Sequence, residues 1–169
     1  VYYSITGNIV NHMKKKTVLK GKAKTLKSQF KRTLTVKEDV IGYKPTPLVA
    51  AHWFRKLNTI LFGNRLSGCE IRINKLHHDW GRCVADWDNR HCRKGTFNQR
   101  VIPYHKTEVF YRIELHCKFP KWKDFIETLA HEMVHLYQMQ VMKDPYSNHN
   151  ANFYAFREKF TAVGLRLYR

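Results

Sequence analysis

No run in this chain approaches the roughly 18 apolar residues that a membrane-spanning helix requires, and no secretory apolar block is present. No membrane partner is expected. Cysteine is sparse and scattered. Cys69, Cys83, Cys92 and Cys117 make no CxxC pair and no regular zinc spacing, so they read as separate thiols in a reducing compartment. A glycine loop able to cradle phosphate is missing, and no Ser/His/Asp or Cys/His arrangement stands at a convincing spacing. Acid is missing too, but only locally: residues 1–37 hold ten Lys/Arg and no Asp or Glu.

What is present is aromatic and basic. Ten Phe, nine Tyr and four Trp within a 43% apolar composition argue for a packed globule rather than a disordered basic protein. At 169 residues the chain is long enough for one domain with its own core. Lys and Arg number 31 against 13 Asp and Glu, a formal net charge of +18. Such an excess concentrates polyanions at the surface and predicts salt-sensitive binding to nucleic acid, without choosing DNA or RNA. The chain divides into a basic, partly flexible N-terminal arm over 1–44 and a domain over 45–169. In the arm Lys14, Lys15, Lys16, Lys20, Lys22, Lys24 and Lys27 are the expected nucleic-acid contacts, and a weak helix over 22–32 is the alternative to flexibility. In the domain Arg82, Arg90, Arg93, Lys94 and Arg100 are expected to line a path for the same polyanion. Trp80, Trp87 and Phe97 lie near that path, where they could stack on bases, but they read as core. The first residue is Val1 rather than Met, which fits a processed or partial chain.

Local patterns give the elements. Thr46 can cap a helix whose first position is Pro47, where the missing N–H costs nothing. Apolar positions at 49, 53, 57, 60 and 61 then run to Gly63 as terminator. His52 and Trp53 on this helix read as packing residues. Cys69 to Ile73 alternates as a half-buried strand should, Arg82 to Trp87 is a second candidate, Gly95 to Ile102 a third, and Val109 to Leu115 the clearest. The His77-His78-Asp79-Trp80 and His91-Cys92 clusters carry only a weak metal signal. Pro120 closes the strand region. Apolar residues at 126, 129, 130, 133, 134, 137 and 141 mark a helix over 125–141, limited by Pro145. A last amphipathic helix is expected over 150–168, with Gly164 as a candidate break.

The motif helix carries the chemistry. His131-Glu132-Met133-Val134-His135 is an HExxH motif, and residues four apart on a helix point the same way, so both imidazoles can reach one Zn2+. Glu132 beside them can take the proton of the attacking water. A catalytic zinc needs a third protein ligand and an open position. His149 stands where the next helix begins, after a return long enough to bring its ring to the metal; Asp144, Glu158 and an upstream histidine compete with it. Tyr137, Tyr146 and Tyr154 are equal candidates to stabilise an oxyanion.

Three stretches, in this order, resemble the SprT-like family of zinc metallopeptidases, which includes proteases that degrade proteins crosslinked to DNA. Leu57-Asn58-Thr59-Ile60-Leu61-Phe62-Gly63-Asn64-Arg65-Leu66 is similar to the family's LN..LFGGRL stretch. Glu127 to His135 is similar to its TLLHEMIH, and His149-Asn150-Ala151-Asn152-Phe153 to its HGxxF. The resemblance implies an α+β, zincin-like core in which a small mixed sheet packs against an N-terminal core helix, the HExxH helix and a C-terminal helix. It implies one catalytic Zn2+ on His131, His135 and His149, with Glu132 as general base. The expected activity is hydrolysis of peptide bonds in nucleic-acid-associated proteins, in the cytoplasm or at a nucleoid. The competing expectation, from the heavy charge and the start at Val1, is a structural or nucleic-acid-binding component of a large viral or nucleoprotein assembly that keeps the fold and its zinc. Asn150 departs from the family, standing where glycine is usual, which puts the turn after the third ligand in question. The cysteine-rich ribbon of several relatives has no counterpart among these residues, so guidance by DNA would fall to the arm and the domain surface.

Overall fold

A computed structural model describes residues 24–88, 102–144 and 148–168. In chain order the elements are α1 over 24–36, β1 (Ile41–Tyr43), α2 (Pro47–Phe62), β2 (Glu70–Asn74), β3 (Gly81–Trp87), β4 (Val109–His116), β5 (Phe119–Lys121), α3 (Trp122–Gln140), α4 (Ala151–Tyr154) and α5 (Arg157–Ala162).

Capping chemistry sets α2 where the sequence puts it. Thr46 is extended, its hydroxyl accepts the Val49 N–H at 3.2 Å, and Pro47 takes the first helical position. Gly63 ends the helix in the left-handed region at φ 58°. The Asn58 amide then clamps the turn, donating to the Leu66 carbonyl and accepting the Leu66 N–H. Trp53 is buried on this helix, but His52, expected to pack, is exposed. The buried stripe runs through positions 50, 53, 54, 57, 60 and 61, and position 52 falls outside it.

β2, β4 and β3 form a mixed sheet in that order, with β2 parallel and β3 antiparallel to β4. The odd-numbered face turns inward, with Ala85, Trp87, Ile113 and Leu115 buried. The even-numbered face carries ion pairs instead: Arg82 with Glu114, and Arg112 with both Asp86 and Glu114. The strand expected over 95–102 lies outside the described residues except for Ile102, which is buried and in no strand. A second, two-stranded ladder of β1 and β5 is absent from the sequence expectation. Pro120 sits inside β5 rather than closing the strand region; a short edge ladder tolerates one missing donor.

Residues 24–36 belong to the expected arm, yet they form a helix that buries Phe30 and Leu34 in the main core. The two side chains lie about one helical turn apart, and Phe30 meets Trp53 edge-on with ring centroids 5.9 Å apart. Within this stretch the chain takes the helical alternative expected over 22–32, with the described helix running over 24–36.

α3 packs against α2 and touches β3, β4 and β5, while α2 also meets β2. Trp122, Phe125, Ile126, Leu129, Ala130, Met133, Val134 and Leu136 on it are fully buried. It begins three residues before the expected start, where Asp124 reaches back to accept the Lys121 N–H at 3.1 Å. The single last helix expected over 150–168 is instead α4, α5 and a non-helical end. Gly164, at φ 86°, makes the break, and Leu165 and Leu167 turn back into the core.

Candidate metal centre

His131 and His135 project from successive turns of α3, with ring centroids 5.1 Å apart. His149 arrives from the segment before α4. Its Nε2 lies 3.2 Å from Nε2 of His135 and 3.2 Å from Nε2 of His131. Tetrahedral zinc with bonds of about 2.0–2.1 Å sets its ligand nitrogens roughly 3.3 Å apart, so the spacing fits that ion. Among the described residues these three form the converging group of metal-ligating side chains, with all ligand atoms within 4.8 Å. Asp144 and Glu158, the competing third ligands, are not in it.

The rings are held from behind. His135 Nδ1 lies 3.0 Å from Gln138 Oε1, and the His131 ring is hydrogen-bonded to the Tyr168 backbone. Phe153, wholly buried, is the floor: its ring stands 4.8, 4.8 and 4.6 Å from those of His131, His135 and His149. Burial, with the two neighbouring imidazoles adding to it, lowers the His131 pKa to about 4. This ring is therefore neutral at pH 7, with a lone pair available to a metal.

Glu132 faces the other side of the same cavity. Its side chain is buried, which pushes its pKa up to about 8; the charge of Asp79 adds to the rise and the Cys83 backbone N–H opposes it. A cation beside the carboxyl acts in the lowering direction. Gly81 gives Glu132 its seat. A Cβ at position 81 would stand 2.8 Å from Thr128 Cγ2 and 3.2 Å from Glu132 Cγ, so β3 comes this close to α3 only because the side chain is missing.

His131, Glu132, His135 and His149 line one cavity of about 980 Å³, with His78, Asp79, Trp80 and β3 across from α3. The family model for SprT-like proteins matches residues 50–167. The chain belongs to the SprT-like family. No curated protein and no solved structure matches it. The family match runs from within α2 to Leu167 and takes in all four of these residues, so the domain is metallopeptidase-like and its α+β fold zincin-like.

Several features of this SprT-like site differ from the sequence expectation. Asn150 needs no left-handed turn: it is extended at φ −97°, and its side chain accepts the Phe153 N–H as the cap of α4. Tyr137 packs on Phe62 and Phe156 and bonds Arg65, and neither it nor Tyr154 lines the cavity; Tyr146 lies outside the described residues. Trp80, expected in the core, is 52% exposed at the cavity, against His116 and Phe119, whereas Trp87 is buried. His78 and Asp79 reach the cavity without joining the histidine group. Arg166 and Tyr168 line it because the segment after α5 returns along α3, bonding Glu127 and His131 through its backbone. Such returns leave no periodic signal.

The expected nucleic-acid contacts fall into three groups. Lys24 and Lys27 are exposed on α1. Arg82 is ion-paired with Glu114, which offsets its charge. Lys14, Lys15, Lys16, Lys20, Lys22, Arg90, Arg93, Lys94 and Arg100 lie outside the described residues, as do Phe97 and Cys92; Cys69, Cys83 and Cys117 are free thiols. No helix among the described residues is long and apolar enough to cross a membrane.

Proposed function

We propose that this SprT-like domain is a zinc-dependent peptidase acting on proteins associated with nucleic acid. The observation that supports it best is three imidazole nitrogens at zinc-ligand spacing, beside a buried carboxyl, in a cavity of about 980 Å³. Zinc held by His131, His135 and His149 would supply Lewis acidity toward a peptide carbonyl and toward water. Glu132, held by the Cys83 N–H, takes a proton from the attacking water as the new C–O bond forms. It delivers that proton to the amine as the C–N bond breaks. The nucleic-acid half of the proposal is supported by the charge of +18 and by the ten Lys/Arg of residues 1–37.

Protein purified without chelators is expected to carry about one zinc per chain. Glu132→Gln should keep that zinc and lose about 100-fold or more in hydrolysis of an unstructured protein, assayed with and without DNA. A parent that holds zinc but cleaves nothing under these conditions favours the assembly component instead. Binding to single- and double-stranded DNA and RNA should weaken with salt, by about 0.7–0.9 in log–log slope per phosphate contact. Weak binding even at low salt would remove the nucleic-acid half.

A further inference from the structure

Gln138 lies three residues beyond His135 on α3 and is fully buried. The orientation of its amide is fixed by its neighbours. The Asn148 carbonyl can only accept, and it stands 3.0 Å from Gln138 Nε2, so the amide nitrogen faces the His149 segment. Oε1 therefore faces His135 Nδ1 at 3.0 Å, and an amide oxygen only accepts. The proton must sit on Nδ1 of His135, leaving a lone pair on the Nε2 that faces His149.

The next link is fixed in the same way. The Phe153 N–H can only donate, and it bonds Asn150 Oδ1 at 3.1 Å. That oxygen also accepts from Gln138 Nε2 at 3.0 Å. Asn150 Nδ2 is left to donate to Asp144 Oδ2 at 2.9 Å. Every donor in the series points the same way, from the imidazole through two amides to a carboxylate.

From this we infer that Gln138, Asn150 and Asp144 form a positioning relay that holds His135 as the Nε2-ligating tautomer and fixes His149 beside it. The inference rests on the metal-centre reading above. A carboxylate at the far end polarises the donors toward itself and makes the ligating nitrogen a better donor to a cation. Gln138 also bonds the residues on both sides of His149, Asn148 through its carbonyl and Asn150 through its side chain. One amide thus ties the helix-borne ligand to the loop-borne one. Glycine at position 150 could neither accept from Gln138 nor donate to Asp144. The departure at Asn150 is accordingly the middle link of the relay.

The test uses the full chain, with Gln138→Met, Asn150→Gly and the double variant. Zinc affinity is read by chelator competition, and coordination by the visible absorption of the cobalt-substituted protein. Each single variant should bind zinc about 10–100-fold more weakly, the range for loss of a ligand's outer partner. The double variant should fall little further, because the links act in series. The cobalt spectrum should change in both. In the metal-free parent, long-range proton–nitrogen NMR correlations should show His135 protonated at Nδ1, and Asn150→Gly should mix the tautomers. Parental zinc affinity and cobalt spectrum in both single variants would overturn the relay, as would a parent with His135 protonated at Nε2. If Gln138→Met does not fold, the half-buried Asn150 carries the same test. A parent that binds no zinc defeats the metal-centre reading, while the tautomer measurement still decides the relay.

Discussion

The cavity has two walls, and they are built by different rules. The helical wall works through side chains: His131, Glu132 and His135 are placed by the turn of α3, His149 by hydrogen bonds, and the three rings rest on Phe153. The sheet wall works through backbone: a missing Cβ at Gly81 and the N–H of Cys83 hold the Glu132 carboxyl. On the proposed function, the first wall would hold the metal and the second would set where the carboxyl stands. Damage to the three imidazoles or to the Phe153 ring beneath them should therefore remove zinc, and damage to the sheet wall should spare zinc and impair only proton transfer.

Phe153→Ala should have the largest effect, because it empties the floor under all three rings. Truncating a wholly buried phenylalanine typically costs about 3–5 kcal/mol of stability. Urea denaturation of the metal-free variant measures that loss, and zinc affinity should fall with it. An undisturbed zinc affinity would mean that the ligands are positioned without their floor. His149→Ala should separate ligation from folding. His149 is exposed, so the metal-free melting temperature should barely move. Zinc affinity should fall by more than the roughly 10–100-fold that an outer partner costs. A variant that still binds zinc tightly would give the third position to another side chain.

The two walls also differed in how far they could be read from sequence. His131 and His135 follow from a helical period that the buried face of α3 confirms at 126, 129, 130, 133 and 134. Thr46, Pro47 and Gly63 delimit α2 because caps act through local chemistry. The three-residue strands β1 and β5 are too short to show alternation. α1 shows in the sequence only as a weak helix over 22–32, because just two buried residues, Phe30 and Leu34, anchor it with lysine around them. Gln138 interrupts an apolar face, and periodicity treats such a residue as noise although its buried amide has several partners. Gly81 and Cys83 could not be read at all, since what matters there is a distance between backbones far apart in sequence.

Gly81→Ala tests the sheet wall directly. The new methyl would press on Thr128 Cγ2 at 2.8 Å and on Glu132 Cγ at 3.2 Å, and one of them must move. Overpacking of this kind costs about 1–3 kcal/mol, so the variant should fold and keep its zinc. If the base is displaced, hydrolysis should fall at least about tenfold, chiefly in kcat, with metal content unchanged. Equal loss of zinc would show that the walls are not separable.

The smallest expected effect concerns the thiol on that same wall. Burial raises the Cys83 pKa well above its ordinary value, with the charge of Glu132 adding to the rise, and burial raises the Cys69 pKa to about 12. The thiolate is the nucleophile, so at pH 8 a thiol of pKa about 12 is ionised only to the order of 10⁻⁴. Among the described cysteines, iodoacetamide at pH 8 should modify exposed Cys117 first and leave Cys69 and Cys83 at least about 100-fold slower, as read by peptide mass mapping. The sign of the linked stability follows from the same shifts. Both folded pKa values lie above the ordinary 9.0, so the folded chain keeps protons that the unfolded chain has lost above that pH. The stabilisation is fully present below about pH 9 and is lost as pH rises toward the folded values. The melting temperature should therefore decline from about pH 9 upward, and Cys69→Ser with Cys83→Ser should flatten that decline. If Cys83 is labelled as fast as Cys117, β3 opens away from α3 in solution, and the sheet wall cannot be what holds Glu132 in place.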